Sequence, residues 1–521
     1  MKPFLRSRSV RSASGPSAAF ARASVVSAAA LSGAALSAVL LGGCAEPPPP
    51  AEPPPPPPAA VQPSVDPRYA ELPAPSAASP WAPPAVQFKT LPNGLGVWHL
   101  QQADAALVSI HVVVPVGAST DPAGKEGLTL LTADLLDEGA GKLDALKLSD
   151  ALGALATDYQ ASAGVDYALL TMNALGENFE ASLDLLADII RRPRLDAAEF
   201  ARRRDHHVAQ AIARSSSQQS QLAAAYHRVL FGKGYAGSPP EGTQASLAAI
   251  TLADVKARAK SFNVAQGSHV VVVGGIDAGR VERAVARAFG DWKGKRESRP
   301  VQAEAPTASK TAYVVPFPGA AQSSLAVLTR AGSSSDPNYF AEMVMNRPVG
   351  EAFTGRINLN LREDKGYTYG AFSTFRRYRH GGYFGVVANV KSDVTAASVQ
   401  EILGELAAVC GERPLTQQER DEAVDGLLLG YPLRFERVDE MGTQVASLPI
   451  YERPVDFWQK WPSAVSGIGT ARANEAARPY CDPARYQVIV AGDRAVVAPG
   501  LEKLGYTIEE LPRPTAPAAP H

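Results

Sequence analysis

The sequence predicts an α+β chain built from two tandem homologous domains, each an antiparallel-rich sheet flanked by helices. Three observations predict it. LVSIHVVVPVGASTDP (107–122) and SSLAVLTRAGSSSDP (323–337) are both long strands, and the turns that end them, GASTDP and GSSSDP, lie 215 residues apart. Each is followed by a helical stretch, another long strand (YALLTMNAL, GGYFGVVANV) and a closing strand, SHVVVVGGI (268–276) or YQVIVAG (486–492). An internal repeat of this length means a duplicated domain. Finally, 521 residues at 45% hydrophobic and 20% charged leave room for more than one core.

Along the chain, Lys2, Arg6, Arg8, Arg11 and Arg22 precede any acid, and SVVSAAALSGAALSAVLL follows as an apolar run ending in LGGC. That is the layout of a secretory signal over 1–43. Its end resembles the bacterial lipobox, with Cys44 cleaved free and acylated. Ala45 lacks the aspartate that marks inner-membrane retention, so the expected place is the bacterial cell envelope, anchored by lipid to the outer membrane and facing the periplasm. Residues 44–86 form a Pro-rich linker opening on AEPPPPAEPPPPPP. As polyproline II, at about 3.1 Å per residue, such a stalk reaches on the order of 120 Å. The first domain is expected over 87–293, with FKTLPNGLGVWHL as a hairpin turning at Asn93-Gly94. A charged and then Pro/Ala/Ser-rich linker covers 294–310, the second domain 311–513, and a short tail 514–521. No other run is apolar enough to span a bilayer. The formal charge of −1, with no basic tract beyond the first residues, argues against a nucleic-acid partner. Cys410 and Cys481 either pair in an oxidising compartment or stay as buried thiols.

No residue set is catalytically self-sufficient. Eight histidines occur, none in H-x-x-x-H, H-x-x-E-H or H-E-x-x-H spacing, which would put two ligands on one helix face. His206 and His207 are adjacent and read as surface residues rather than metal ligands. There is no Cys pair with zinc spacing, no Gly-rich phosphate loop after a strand and no G-x-S-x-G elbow. In TGRINLNLREDKGYTYGAFSTF (354–375), a short helix carrying Arg362 runs into a strand, and alternation places Tyr367 and Tyr369 on one face.

These segments resemble the insulinase/pitrilysin family, the inverzincins with zinc motif H-x-x-E-H. The resemblance covers about 87–512. It is carried by PNGLGVW, GASTDPAGKEGLTLL and LGENFEASLDLLADIIRRPRLDAAEFARRR, and most closely by NRPVGEAFTGRINLNLREDKGYTYG. Aligned on Gly127-Leu128, the first zinc histidine falls on Leu130, the glutamate base on Ala133 and the second histidine on Asp134. The last ligand, a glutamate on a later helix, falls on Ala211. All four positions are substituted, so the resemblance implies no metal on this chain. It also implies that Arg362 and Tyr369 match the family's pair of carbonyl donors, and that Gly350 and Gly355 remain from its substrate-binding Gly-rich loop.

Bacterial members of the family often work as unlike pairs. The expected function is therefore the non-catalytic subunit of a heteromeric zinc metallopeptidase. Zinc would sit on a partner, a zinc-motif-bearing paralogue, and the substrate would be a peptide or unfolded polypeptide. The alternative is a structural or peptide-binding envelope lipoprotein with no role in proteolysis.

Overall fold

The computed structural model describes residues 81–232, 234–294 and 310–513, which belong to one compact unit, Ser76–His521. The expected signal peptide, Cys44 and tail lie outside the described residues, as do most of the proline-rich segment and of the 294–310 linker. The packed body begins earlier than residue 87. Trp81 stacks edge-on against Tyr431, with ring centroids 5.8 Å apart, and lies 5.6 Å from Phe435.

The first half holds β1 (Gln87–Thr90), β2 (Gly96–Gln101), β3 (Leu107–Val114), the short pair β4 (Gly139–Ala140) and β5 (Leu143–Asp144), β6 (Asp158–Ala163), β7 (Ala168–Leu175) and β8 (His269–Gly274). The second holds β9 (Thr311–Pro316), β10 (Gln322–Ala331), β11 (Thr368–Tyr378), β12 (Gly381–Lys391), β13 (Gln487–Gly492) and β14 (Thr507–Glu510). The larger sheets run β1-β2-β8-β3-β7-β6 and β11-β12-β10-β13-β9-β14. Five strands correspond one to one: β6 with β11, β7 with β12, β3 with β10, β8 with β13 and β2 with β9. The sixth does not. β1 is antiparallel to β2 and precedes it, whereas β14 is parallel to β9 and comes from the end of the chain.

The side-chain period of two divides each central strand between two cores. On one side of the first sheet, Val108, Ile110 and Val112 pack against helices Phe179–Arg191 and Ala278–Phe289 through Leu183, Leu186, Val281 and Val285. On the other, Trp98, Val113 and Val271 meet helix Val438–Ile450, which belongs to the second half and brings Val445 and Leu448. The exchange is reciprocal. Helix Gln218–Phe231 of the first half lays Leu222, Ala225 and Phe231 on the second sheet, against Ala326, Leu328, Ile489 and Ala491. Each half thus completes the other's core.

Cys410 and Cys481 form a disulfide, which closes the alternative left open by the sequence. Among the described residues no helix is long and apolar enough to cross a membrane.

Candidate functional site

The opening residues of GLTLLTADLLDEGA fold as helix Leu128–Leu135. Its exposed N-terminal amides need acceptors, and Asp121 supplies them. Its carboxylate accepts from the backbone N–H of Gly127 and of Thr129, both at 3.0 Å, and from Thr129 Oγ1 at 2.5 Å. Burial pushes Asp121 up to about 6 despite these bonds and the nearby Arg258. The helix carries Leu130, half-buried, Ala133, fully buried, and Asp134.

Helix Ala197–Ser215 faces it and contributes Arg203, His207 and Ala211, spaced by four and therefore on one side. The expectation of a surface histidine fails for His207, which is 6% exposed with Nε2 2.9 Å from Asp134 Oδ2. The physical reason is the partner: a buried imidazole needs a hydrogen bond, and Asp134 offers it. Arg203 Nη1 lies 3.4 Å from the same Asp134 oxygen and also bonds Glu138, which Arg202 Nη2 reaches at 2.5 Å. Burial would raise the Asp134 carboxyl, but the His207 bond and the Arg203 charge outweigh it and hold it below its ordinary value. Burial lifts the neighbouring Asp137 to about 7 against the pull of Arg203.

This arrangement does not fit zinc. Leu130, Ala133 and Ala211 offer no donor atom, and the one carboxylate left is engaged by an imidazole and a guanidinium. An arginine beside it opposes a divalent cation directly. The isolated chain is expected to hold no stoichiometric zinc and to cleave no peptide, with a melting temperature indifferent to chelator. Stoichiometric zinc that disappears in Asp134→Asn would contradict this.

The second constellation lies in the second half. Residues Arg347–Glu351 and Leu359–Asp364 wind as π-helix, with Ala352 N–H on the Arg347 carbonyl and Lys365 N–H on that of Asn360. Such turns are rare and recur at functional sites. Between them the chain folds tightly on itself. A Cβ at Gly350 would fall 2.6 Å from Ser373 Oγ, and one at Gly355 would fall 2.9 Å from the Gly350 Cα. Both glycines are thus required by packing.

Arg362 stacks on the half-exposed ring of Phe353, 4.5 Å from its centroid. Its Nε lies 3.5 Å from Glu363, while Nη1 is buried without a hydrogen-bond partner. An unsatisfied buried guanidinium nitrogen is costly and marks a donor awaiting an acceptor. Tyr369 is 91% exposed, the most exposed large hydrophobic side chain among the described residues. The shared face expected for Tyr367 and Tyr369 is not formed. Tyr367 precedes β11, and the register shifts between Thr368 and Ala371, so a bulge interrupts the alternation. Among the described residues no hydrogen bond or ion pair links Arg362 or Tyr369 to helix Leu128–Leu135.

Residues 97–243 match the insulinase family (peptidase family M16), and 249–427 match the peptidase M16 inactive domain. The chain belongs to the insulinase family. The inactive-domain match begins before β8, a strand of the first sheet, so its border does not coincide with the border between the halves.

Relatives include an uncharacterized zinc protease of Mycobacterium leprae, 24% identical over 62% of this chain and 73% of that protein. Another, from Mycobacterium bovis, is 22% identical over 71% of this chain and 86% of its own. Among solved structures, a peptidase M16 inactive domain from Pseudomonas fluorescens superposes with TM-score 0.73 at 21% identity, covering 78% of this chain and 98% of that one. A protease from Helicobacter pylori superposes with TM-score 0.72 at 17% identity, covering 79% and 100%. At these identities the structural likeness shows the fold. The expected α+β class with two tandem insulinase-type domains is what the chain adopts, and it is a peptidase-like member of this family.

Proposed function

We propose that the chain is the non-catalytic subunit of a heteromeric insulinase-family peptidase. It lends Arg362 and Tyr369 to a site whose zinc is held by a zinc-motif-bearing paralogue. The observation that carries this reading is the asymmetry between the two constellations. The half that would hold metal is closed by an Asp134–His207–Arg203 network, while Arg362 keeps an unsatisfied nitrogen and Tyr369 stands in solvent. A guanidinium and a phenol hydroxyl are both donors. They suit a peptide carbonyl that gains negative charge as water attacks it. The loop shaped by Gly350 and Gly355 would hold the peptide beside them. A pure scaffold has no need of a guanidinium nitrogen buried without a hydrogen-bond partner.

Purification of the chain from its native envelope, with identification of what accompanies it, tests the pairing. Recovery of a zinc-motif relative in equal amount is expected; a chain that comes alone under mild detergent contradicts it.

The anchor is part of the same reading. Cys44 would be the lipid-bearing first residue of the mature protein, outer-membrane bound and facing the periplasm, an oxidising place that suits the Cys410–Cys481 disulfide. Cys44→Ser should stay unprocessed or become soluble after fractionation. Processing and membrane retention equal to the wild type would rule the lipobox out.

A further inference from the structure

Arg362 and Tyr369 stand on different elements, and two other side chains fix the elements that carry them. Arg362 lies in the π-helical turn Leu359–Asp364. Tyr369 lies in the bulge of β11, where the pairing passes from Thr368–Val390 directly to Ala371–Ala388. One more residue on β11 than on β12 is thrown out of the ladder there. The Thr368 hydroxyl fills the gap. It donates to the Asn389 carbonyl at 2.6 Å and accepts the Gly370 N–H at 3.0 Å.

Asn358 closes the short helix Arg356–Asn358 and is fully buried. Its Nδ2 donates to the Phe353 carbonyl at 2.7 Å, and its Oδ1 accepts the Ala371 N–H at 3.0 Å. A buried amide that uses both its donor and its acceptor is held in one orientation. A single side chain therefore joins the turn that carries Phe353 to the strand just beyond Tyr369.

Phe353 has its carbonyl pinned and its ring outside, 57% exposed. An aromatic side chain in solvent contributes little to the core, so its stability role is small. What it does touch is Arg362, whose guanidinium lies 4.5 Å from the ring centroid. The face of the ring attracts a guanidinium and orients its plane. The long contact of Nε to Glu363, at 3.5 Å, constrains it far less, and Nη1 is left without a partner.

We propose that Phe353 and Asn358 are positioning residues of the Arg362/Tyr369 pair: the Phe353 ring holds the guanidinium in place, and Asn358 ties that ring's turn to the bulged strand that presents Tyr369. This rests on the shared-site reading of Arg362 and Tyr369. Neither residue touches the reacting atoms; both act through the pair.

The first test uses the full chain alone, labelled with ¹⁵N-arginine. The Arg362 Nε–Hε resonance, identified by its loss in Arg362→Lys, is expected upfield because of the Phe353 ring current. Phe353→Leu and Asn358→Ala should both move it downfield, and Phe353→Tyr should not. The second test is peptide turnover by the reconstituted pair. Phe353→Leu keeps the apolar bulk and loses the aromatic face, so kcat should fall about fivefold with little change in KM. Phe353→Tyr should restore it. Asn358→Ala should cost up to about a hundredfold, as a misplaced donor does. In the Arg362→Ala, Tyr369→Phe background neither change should lower kcat further, since residues that act through one another are not additive.

An unmoved resonance in folded Phe353→Leu or Asn358→Ala overturns the proposal. So does equal activity of Phe353→Leu and Phe353→Tyr, or a further loss in the double-variant background. Should Asn358→Ala fail to fold, Asn358→Asp takes its place: it has the same shape and keeps the acceptor, but as a carboxylate it loses the donor to Phe353. Full activity of the Arg362→Ala, Tyr369→Phe pair would instead sink the shared-site reading, and the resonance of the chain alone would still decide whether Phe353 and Asn358 position Arg362.

Discussion

Arg362→Ala is expected to cost the reconstituted pair about 10²–10³ in kcat, roughly 3–4 kcal/mol, the usual loss for one oxyanion donor. Assembly should survive. Arg362 packs against Phe353, itself half-exposed, and its one ion pair is a long contact to the adjacent Glu363. Its removal therefore disturbs little of the fold, while the donor that Nη1 holds in reserve is lost. Tyr369→Phe should act in the same direction with even less structural consequence, since the hydroxyl lies in solvent on a 91% exposed side chain. An interaction made only in the transition state lowers kcat and kcat/KM together. Tyr367→Phe is the internal control and should be milder, because Tyr367 sits outside β11. Steady-state cleavage of a peptide by the pair, with complex formation followed separately, reads the outcome. Full activity in both Arg362→Ala and Tyr369→Phe would leave the chain a scaffold.

Phe231→Ala should destabilise the whole body by about 3–5 kcal/mol. Phe231 is fully buried at the end of the helix that the first half lays on the second sheet. Its ring lies 5.9 Å from Tyr378, 6.0 Å from His227 and 4.4 Å from the Arg330 guanidinium. Truncation leaves a cavity in a core shared by both halves, so unfolding should remain a single transition. Denaturant unfolding of the two proteins measures the difference. A variant that loses one half while the other keeps its transition would show that the exchange of helices does not couple them.

Much of this architecture was readable from the chain, and the exceptions have physical causes. β3, β8, β10 and β13 carry apolar runs that are buried along most of their length, so those runs declare them. β6 escaped because DYQASA has no β-branched residue and only one aromatic, Tyr159; the sheet accepts it for its mostly small side chains and its position at the edge. β9 and β14 carried too little pattern to be singled out. The exchange of helices could not be read at all, since Gln218–Phe231 looks like any amphipathic helix until the second sheet is present to receive it.

At the candidate site, the substitutions at Leu130, Ala133, Asp134 and Ala211 were legible only through the family resemblance, by alignment on Gly127-Leu128. The buried partner of Asp134 was overlooked, although the spacing of Arg203, His207 and Ala211 by four residues was a usable signal. The bulge between Thr368 and Ala371 was hidden because Gly370 breaks the alternation without any charge or proline to announce it.

The most direct measurement is a titration. A purified zinc-motif relative from the same envelope is held at fixed concentration, this chain is added, and peptide turnover is followed. The account predicts low activity without the chain, a rise that saturates at equimolar amounts, and no rise with the Arg362→Ala, Tyr369→Phe double variant. A relative that turns over equally fast with and without this chain would contradict it.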